Sequence, residues 1–450
     1  MAANAAALTP ALQGRVEALN HDGWGVIRSG KVVFVAGALP GEDIEYRIRR
    51  RQRGHDEGEL LRVISPSPER VQPRCAHFGQ CGGCALQHLS SDSQLRIKDD
   101  MLRETLRRVG KVEPQHWLPP LAGDPWGYRR RARLGARYVF AKGRSLVGFR
   151  ERLSSHVAAL NRCEVLTPGV GAMLAELSAL VTSLSIPERI PQVEVAVGDA
   201  ATVLVLRILS PITAEDRAKL AAFGEQHRVH WLLQPGGPDS LESLDGPAPQ
   251  LYYDLPSADV RLNFEPADFI QVNGDMNRRL VDRVIELLDI GARDAVLDLY
   301  CGLGNFTLPI ARRAAQAFGI EGEAGLVARA AANAVFNGIG NARFAAADLS
   351  GPEAAQRCVT LARQQRESWS QVLLDPPRVG AADVLQAVAQ LAPRRVVYVS
   401  CNPASLARDL GILVTAHGFT LREAGIVDMF PHTSHVESVA VLDGPEKRKR

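Results

Sequence analysis

The chain has 450 residues, 46% of them hydrophobic and 23% charged, enough apolar material for more than one core, so two or three domains are expected. Its first 19 residues hold neither a basic stretch nor a sustained apolar run, and no segment approaches the roughly 18 apolar residues of a membrane span, which argues against export and membrane insertion. The net charge of +3 is unevenly spread: residues 1–162 carry 27 Lys and Arg against 16 Asp and Glu, the remainder 26 against 34, so the N-terminal part is expected to meet a polyanion.

Residues 12–66 read as closely spaced short strands with turn punctuation, the texture of a small oligonucleotide-binding-type barrel. Five arginines between Arg47 and Arg53 suit phosphate contact, and Ser65-Pro66-Ser67-Pro68 reads as a linker. The segments Gly-Arg-Val-Glu, Gly-Trp-Gly-Val and Val-Phe-Val-Ala-Gly-Ala-Leu-Pro-Gly-Glu resemble the TRAM module of RNA-modifying enzymes. An amphipathic helix is expected over 90–109, with Leu95, Leu102, Leu106 and Val109 on one face. A strand-rich stretch from Tyr128 to about Asn263 follows, with helical insertions near 168–185 and 211–227; strand–helix repeats from 275 onward predict an α/β domain. The predicted division is therefore a barrel over 1–66, a central region over 67–265 whose helix at 90–110 could pack on the catalytic part, and a Rossmann-like domain over 266–450.

Seven cysteines in a long chain without an export signal point to a reducing cytoplasm, where clustered thiols more often bind metal than form disulfides. Cys75, Cys81 and Cys84 give C-x5-C-x2-C in a glycine-rich loop that can wrap an inorganic centre, and Cys163 is the candidate fourth ligand. Four thiolates suit either a [4Fe–4S] cluster or a structural zinc. The missing second C-x2-C knuckle tilts the reading toward iron–sulfur, in a structural role.

Ala295-Val296-Leu297-Asp298-Leu299-Tyr300-Cys301-Gly302-Leu303-Gly304-Asn305-Phe306 reads as a buried strand entering a glycine turn and then a helix. Asp-x-x-x-Gly-x-Gly is not the dinucleotide fingerprint, because Phe306 replaces the third glycine and an acid precedes the loop; it is the S-adenosylmethionine form. Glu321, at the end of the next strand, stands where ribose hydroxyls are held, and Asp348 where adenine is contacted. Asp375-Pro376-Pro377-Arg378 ends a further strand; its arginine, in place of an aromatic ring, argues against amino-group methylation. Arg395-Val396-Val397-Tyr398-Val399 then runs into Ser400-Cys401-Asn402-Pro403 and a helix. A thiol there lies near helix-terminal N–H groups and the positive end of the dipole, which favour a thiolate nucleophile.

Asp-Leu-Tyr-Cys-Gly-Leu-Gly-Asn-Phe, Leu-Leu-Asp-Pro-Pro-Arg, Tyr-Val-Ser-Cys-Asn-Pro and Asp-Met-Phe-Pro-His-Thr-Ser-His-Val-Glu, in that order, resemble the RNA uracil-5-methyltransferase family from about residue 12 to 443. The barrel and C-x5-C-x2-C resemble its subfamily that methylates a uridine of 23S ribosomal RNA. The tRNA enzymes of the family usually lack both, and an enzyme acting on two ribosomal uridines has both. The resemblance implies a multidomain α/β protein: an OB-like TRAM barrel, a strand-rich central domain with an iron–sulfur cluster, and a methyltransferase domain. It implies Cys401 as nucleophile and Glu437 as base, with Gln271, Tyr300, Asn305, Glu321, Asp348 and Asp375 lining the S-adenosylmethionine site; His432 and His435 are given structural roles. Tyr300 departs from the phenylalanine common at that position. The implied partner is 23S ribosomal RNA, with no membrane and no DNA, since a DNA cytosine-5 enzyme would carry its cysteine in the Asp-Pro-Pro-Arg segment. The chain is expected to act as a cytoplasmic monomer.

Overall fold

A computed structural model describes residues 10–445, so nine of the 19 N-terminal residues read above lie outside it. The strands of the N-terminal part are β1 (Leu12–Arg15), β2 (Ala18–Leu19), β3 (Trp24–Ile27), β4 (Val33–Ala36), β5 (Asp43–Arg51) and β6 (Asp56–Ser65). They form one sheet in the order β1-β5-β6-β4-β3-β2, with β4 and β6 parallel. Alternating apolar positions bring Val16, Ile27, Val33, Val35, Ala38, Ile44 and Tyr46 into one core. Register shifts along the long β5–β6 pair let those strands bend around it.

The chain continues with α1 (Ser91–Thr105), which ends in a π turn at Leu106–Gly110, then β7 (His116–Trp117), β8 (Arg131–Val139), β9 (Arg144–Gly148), α2 (Pro168–Ala172), α3 (Leu174–Ser183), β10 (Gln192–Val197), β11 (Thr202–Arg207), α4 (Ala214–His227), β12 (His230–Gln234), β13 (Glu242–Ser243) and the hairpin β14 (Leu251–Leu255) and β15 (Val260–Phe264). Strands β8 to β13 form a second six-stranded sheet, ordered β13-β12-β11-β10-β8-β9. Helix α4 begins with a capping box between Thr213 and Asp216. The helical insertions lie where expected.

The last part holds α5 (Gly274–Leu288), β16 (Ala295–Leu299), α6 (Thr307–Ala311), β17 (Gln316–Glu321), α7 (Ala324–Phe336), β18 (Ala342–Ala346), α8 (Ala354–Gln365), β19 (Gln371–Leu374), α9 (Leu385–Leu391), β20 (Arg395–Ser400), α10 (Pro403–His417), β21 (Thr420–Val427) and β22 (Glu437–Asp443). Its eight-stranded sheet is ordered β18-β17-β16-β19-β20-β22-β21-β7. Strands β18 to β20 run parallel; β16 and β19 are buried throughout, as continuous apolar runs covered on both faces must be. The strand order reverses between β16 and β19, opening the crevice in which such sheets bind ligands. Strand β7, a two-residue edge paired with β21, had no sequence signal: two residues are too few to show a period.

By compactness the chain divides into two units, one of residues 1–97, 150–158 and 430–435, the other of 98–149, 159–429 and 436–450. Within the second unit the π turn after α1 packs on α10, where a Cβ on Gly110 would lie 2.5 Å from the Ala407 carbonyl oxygen. Among the described residues no helix is long and apolar enough to cross a membrane.

Candidate active site

Four buried or half-buried acids and a thiol gather at the carboxyl ends of the parallel strands. Strand β16 delivers Asp298, whose Oδ2 accepts a 2.6 Å hydrogen bond from Thr307 Oγ1 while Oδ1 has no partner. Burial above all, then the nearby Asp375 and Glu321, pushes Asp298 up to about 8. After β16 the backbone turns through left-handed conformations at Tyr300 (φ 67°), Gly302 (φ 54°) and Gly304 (φ 95°). Only at the two glycines is that free of Cβ strain. Nothing lies within 4 Å of the point a Gly302 Cβ would occupy, so the loop leaves open space.

Glu321 closes β17 opposite this loop. Its Oε2 accepts the Gly302 N–H at 3.0 Å and its Oε1 the Gly322 N–H at 2.7 Å. Asn305 is fixed by reciprocal 2.9 Å amide bonds with Asn277 and accepts a third bond from the Tyr253 hydroxyl. Tyr300 donates its hydroxyl to the Leu349 carbonyl at 3.4 Å. Asp348 is exposed and capped by the Ser350 N–H and hydroxyl. Gln271 is half-buried in the segment before Asn273, the N-cap of α5. An open glycine turn, an unpaired buried carboxylate oxygen and an acid across the crevice suit the amino-acid and ribose parts of S-adenosylmethionine.

The thiol follows from strand register. Strands β20 and β22 pair antiparallel with Ser400 opposite Ser438, so Cys401 leaves β20 where Glu437 enters β22. Asp375 comes off the neighbouring β19. Burial first, then Asp375, pushes Glu437 up to about 8, against the pull of Lys98; its Oε2 has no hydrogen-bond partner. Asp375 rises to about 7, through burial and then Glu321. Lys98 is 1% exposed and its Nζ sits 2.7 Å from Asp428 Oδ1, one residue beyond the cross-strand partner of Glu437.

The electrostatic expectation for Cys401 needs correction. Its thiol is pushed up, by burial first and then by Glu437 and Asp375, with Arg378 pulling the other way. The helix terminus offers less than the sequence suggests: Pro403 has no N–H, and the Asn402 side chain takes the Ala404 N–H. Arg378, which sequence reading passed over as a site residue, is the larger of two influences that pull the thiol down, ahead of the Cys401 N–H. Lys98 also went unremarked, since 330 positions separate it from Asp428. Asp298 was legible as the acid that opens the glycine motif.

Cys75, Cys81 and Cys84 belong to the first unit, in a loop of turns where Gly83 N–H donates to Cys81 Sγ at 3.4 Å. Cys163 belongs to the second unit, its N–H bonded to the Gly171 carbonyl. Among the described residues no group of three or more His, Cys, Asp or Glu is gathered to hold a metal. His432 and His435 lie in the first unit; His432 exchanges bonds with the Gln94 side chain through its N–H and Nδ1, and its carbonyl accepts from Ala85 and Leu86.

A doubly wound sheet with an acid-led glycine turn after its first parallel strand defines an S-adenosylmethionine-dependent methyltransferase class, here with a thiol and a carboxyl side by side. Residues 254–444 match the tRNA (Uracil-5-)-methyltransferase family. Two curated relatives are both named 23S rRNA (uracil(1939)-C(5))-methyltransferase RlmD. That of Nitrosococcus oceani is 50% identical over 434 residues, 96% of each chain, and that of Methylococcus capsulatus is 49% identical over 96% of this chain and 97% of its own. The fold is shared with the Pyrococcus abyssi tRNA (uracil-54, C5)-methyltransferase solved with S-adenosyl-L-homocysteine: TM-score 0.70, 24% identity, covering 96% of this chain and all of that one. The chain belongs to the RNA uracil-5-methyltransferase family, with the RlmD enzymes among its relatives.

Proposed function

We propose that this protein methylates C5 of a uridine in 23S ribosomal RNA, the position that the relatives' names number 1939. The observation that carries the chemistry is the β20–β22 register, which sets the Cys401 thiol beside the Glu437 carboxyl at the ligand-binding edge of the sheet.

Uracil C5 is too weak a nucleophile to be methylated unaided. Cys401 thiolate adds to C6, and the C5=C6 electron pair moves into an enolate spanning C5, C4 and O4. S-adenosylmethionine, held by Gln271, Tyr300, Asn305, Glu321, Asp348 and Asp375, supplies the methyl group as co-substrate. C5 bonds that methyl and the sulfonium leaves as a neutral thioether. Glu437 then takes the C5 proton, the C5=C6 bond re-forms and the thiolate departs. A carboxyl held near 8 is matched to proton transfer close to neutral pH. Asp375 borders the target base, and Arg378 steadies the thiolate.

C6 is inaccessible in a stacked helix, so the uridine must be flipped or presented in a loop. The barrel over 1–66, with Arg49, Arg51 and Arg53 on an exposed hairpin, would grip the surrounding backbone, together with the region over 67–265. Cys75, Cys81, Cys84 and Cys163 would hold a structural [4Fe–4S] cluster; the support is the loop spacing and the N–H donated to Cys81 Sγ. Mapping 5-methyluridine in ribosomal and transfer RNA from a deletion strain tests the whole reading. Loss of one ribosomal methyl group is expected, and loss confined to transfer RNA would overturn the substrate.

A further inference from the structure

The loop after β19 carries Asp375 and Arg378, and its first two peptide units after the aspartate, at Pro376 and Pro377, have no N–H with which to bond the sheet. Its conformation is instead fixed from α10 and the end of β20, the segment that also carries the nucleophile. Asn402 Nδ2 donates to the Arg378 carbonyl at 3.0 Å and Arg408 Nη2 to the Val379 carbonyl at 2.8 Å. Ala381 N–H donates to Asp409 Oδ2 at 2.7 Å and to the Tyr398 hydroxyl oxygen at 3.1 Å. Tyr398 in turn donates its hydroxyl to the same Asp409 oxygen at 2.6 Å, and Arg408 Nε donates to Asp409 Oδ1 at 2.8 Å. Asp409 and Tyr398 are fully buried. Gly380, at φ +85°, admits this contact, because a Cβ there would sit 2.5 Å from Asp409 Oδ2.

We propose that Asp409, with Tyr398, is the positioning element of the catalytic loop: it locks residues 378–381 onto α10 and so presents Arg378 to the Cys401 thiol before RNA arrives. Neither residue touches the reacting atoms. The carboxylate is required because both its oxygens face donors. An asparagine in its place must turn its NH2 either toward Arg408 or toward Ala381 and Tyr398, and either choice sets donor against donor. The bond from Asn402, the neighbour of the nucleophile, ties the two catalytic turns into one rigid piece. The backbone from which Arg378 projects is thereby held in place, preorganisation that the RNA need not supply.

The proposal rests on Cys401 attacking uridine, and the wild-type enzyme's methylation of a ribosomal RNA fragment tests that separately. The experiment is a double-mutant cycle of Asp409→Asn and Arg378→Ala, read as single-turnover methylation, with S-adenosylhomocysteine affinity measured by calorimetry. Each single variant is expected to lose about 10- to 100-fold in rate, with cofactor affinity kept within about threefold and the double variant no slower than the worse single by more than about threefold. Losses that multiply, or a wild-type rate in Asp409→Asn, overturn the latch. If Asp409→Asn does not fold, Tyr398→Phe completes the same cycle; a smaller loss that vanishes in the Arg378→Ala background supports the proposal, and a wild-type rate overturns it.

Discussion

Replacing Glu437 by glutamine separates the last chemical step from those before it. The amide keeps the side chain's shape and removes the base. Addition of the Cys401 thiolate to C6 and methylation of C5 take no proton from uracil, whereas elimination does, so turnover should fall by about 10²- to 10⁴-fold. The variant should accumulate a protein–RNA adduct that already carries the methyl group, seen as a denaturation-resistant band labelled by radioactive S-adenosylmethionine. A second readout comes from the carboxyl's environment. Burial raises Glu437 from an ordinary 4.5 to about 8, so between those values the folded state holds a proton that the unfolded state releases. Stability therefore falls as pH rises through that window, and from pH 6 to 8 this one group costs up to about 2 kcal/mol. Glutamine has no such proton, so the drop in thermal stability between pH 6 and 8 should be shallower in the variant by that amount. Normal turnover with no trapped adduct, together with a pH slope parallel to wild type, would refute both the role and the electrostatics.

Cys401→Ala should abolish methylation while leaving S-adenosylhomocysteine affinity within about threefold, because the thiol acts on the base and not on the cofactor; near-normal turnover would exclude the covalent route. The purified protein should be brown with about four irons per chain, and serine at Cys75, Cys81, Cys84 or Cys163 should lose them; one zinc and no iron on metal analysis would replace the cluster. Lys98→Met leaves Asp428 buried without its cation, a loss of about 3–5 kcal/mol, and removes the charge that pulls Glu437 down, moving the activity profile to higher pH. An unchanged profile with unchanged unfolding midpoint would show that the pair is idle.

Much of this protein is written in contiguous residues. The strands of the N-terminal sheet, the acid-led glycine turn, Asp-Pro-Pro-Arg and Ser-Cys-Asn-Pro are local patterns, because strand alternation, positive-φ glycines and strand–helix turns are each set within a few residues. The parallel sheet follows from the strand–helix repeat after residue 275. What the sequence could not show is what depends on register and burial. That Cys401 stands beside Glu437 requires β22 to insert next to β20 with Ser400 opposite Ser438. That the thiol is raised rather than lowered requires knowing that it is buried, that two acids come off neighbouring strands, and that the Asn402 side chain takes the Ala404 N–H. Lys98 reaches Asp428, and Asp409 reaches the backbone of Ala381, only because packing closes gaps of 330 and 28 residues. Local conformation is fixed by neighbours in the chain, but a charge responds to everything within a few ångströms, and only the tertiary fold decides what that is.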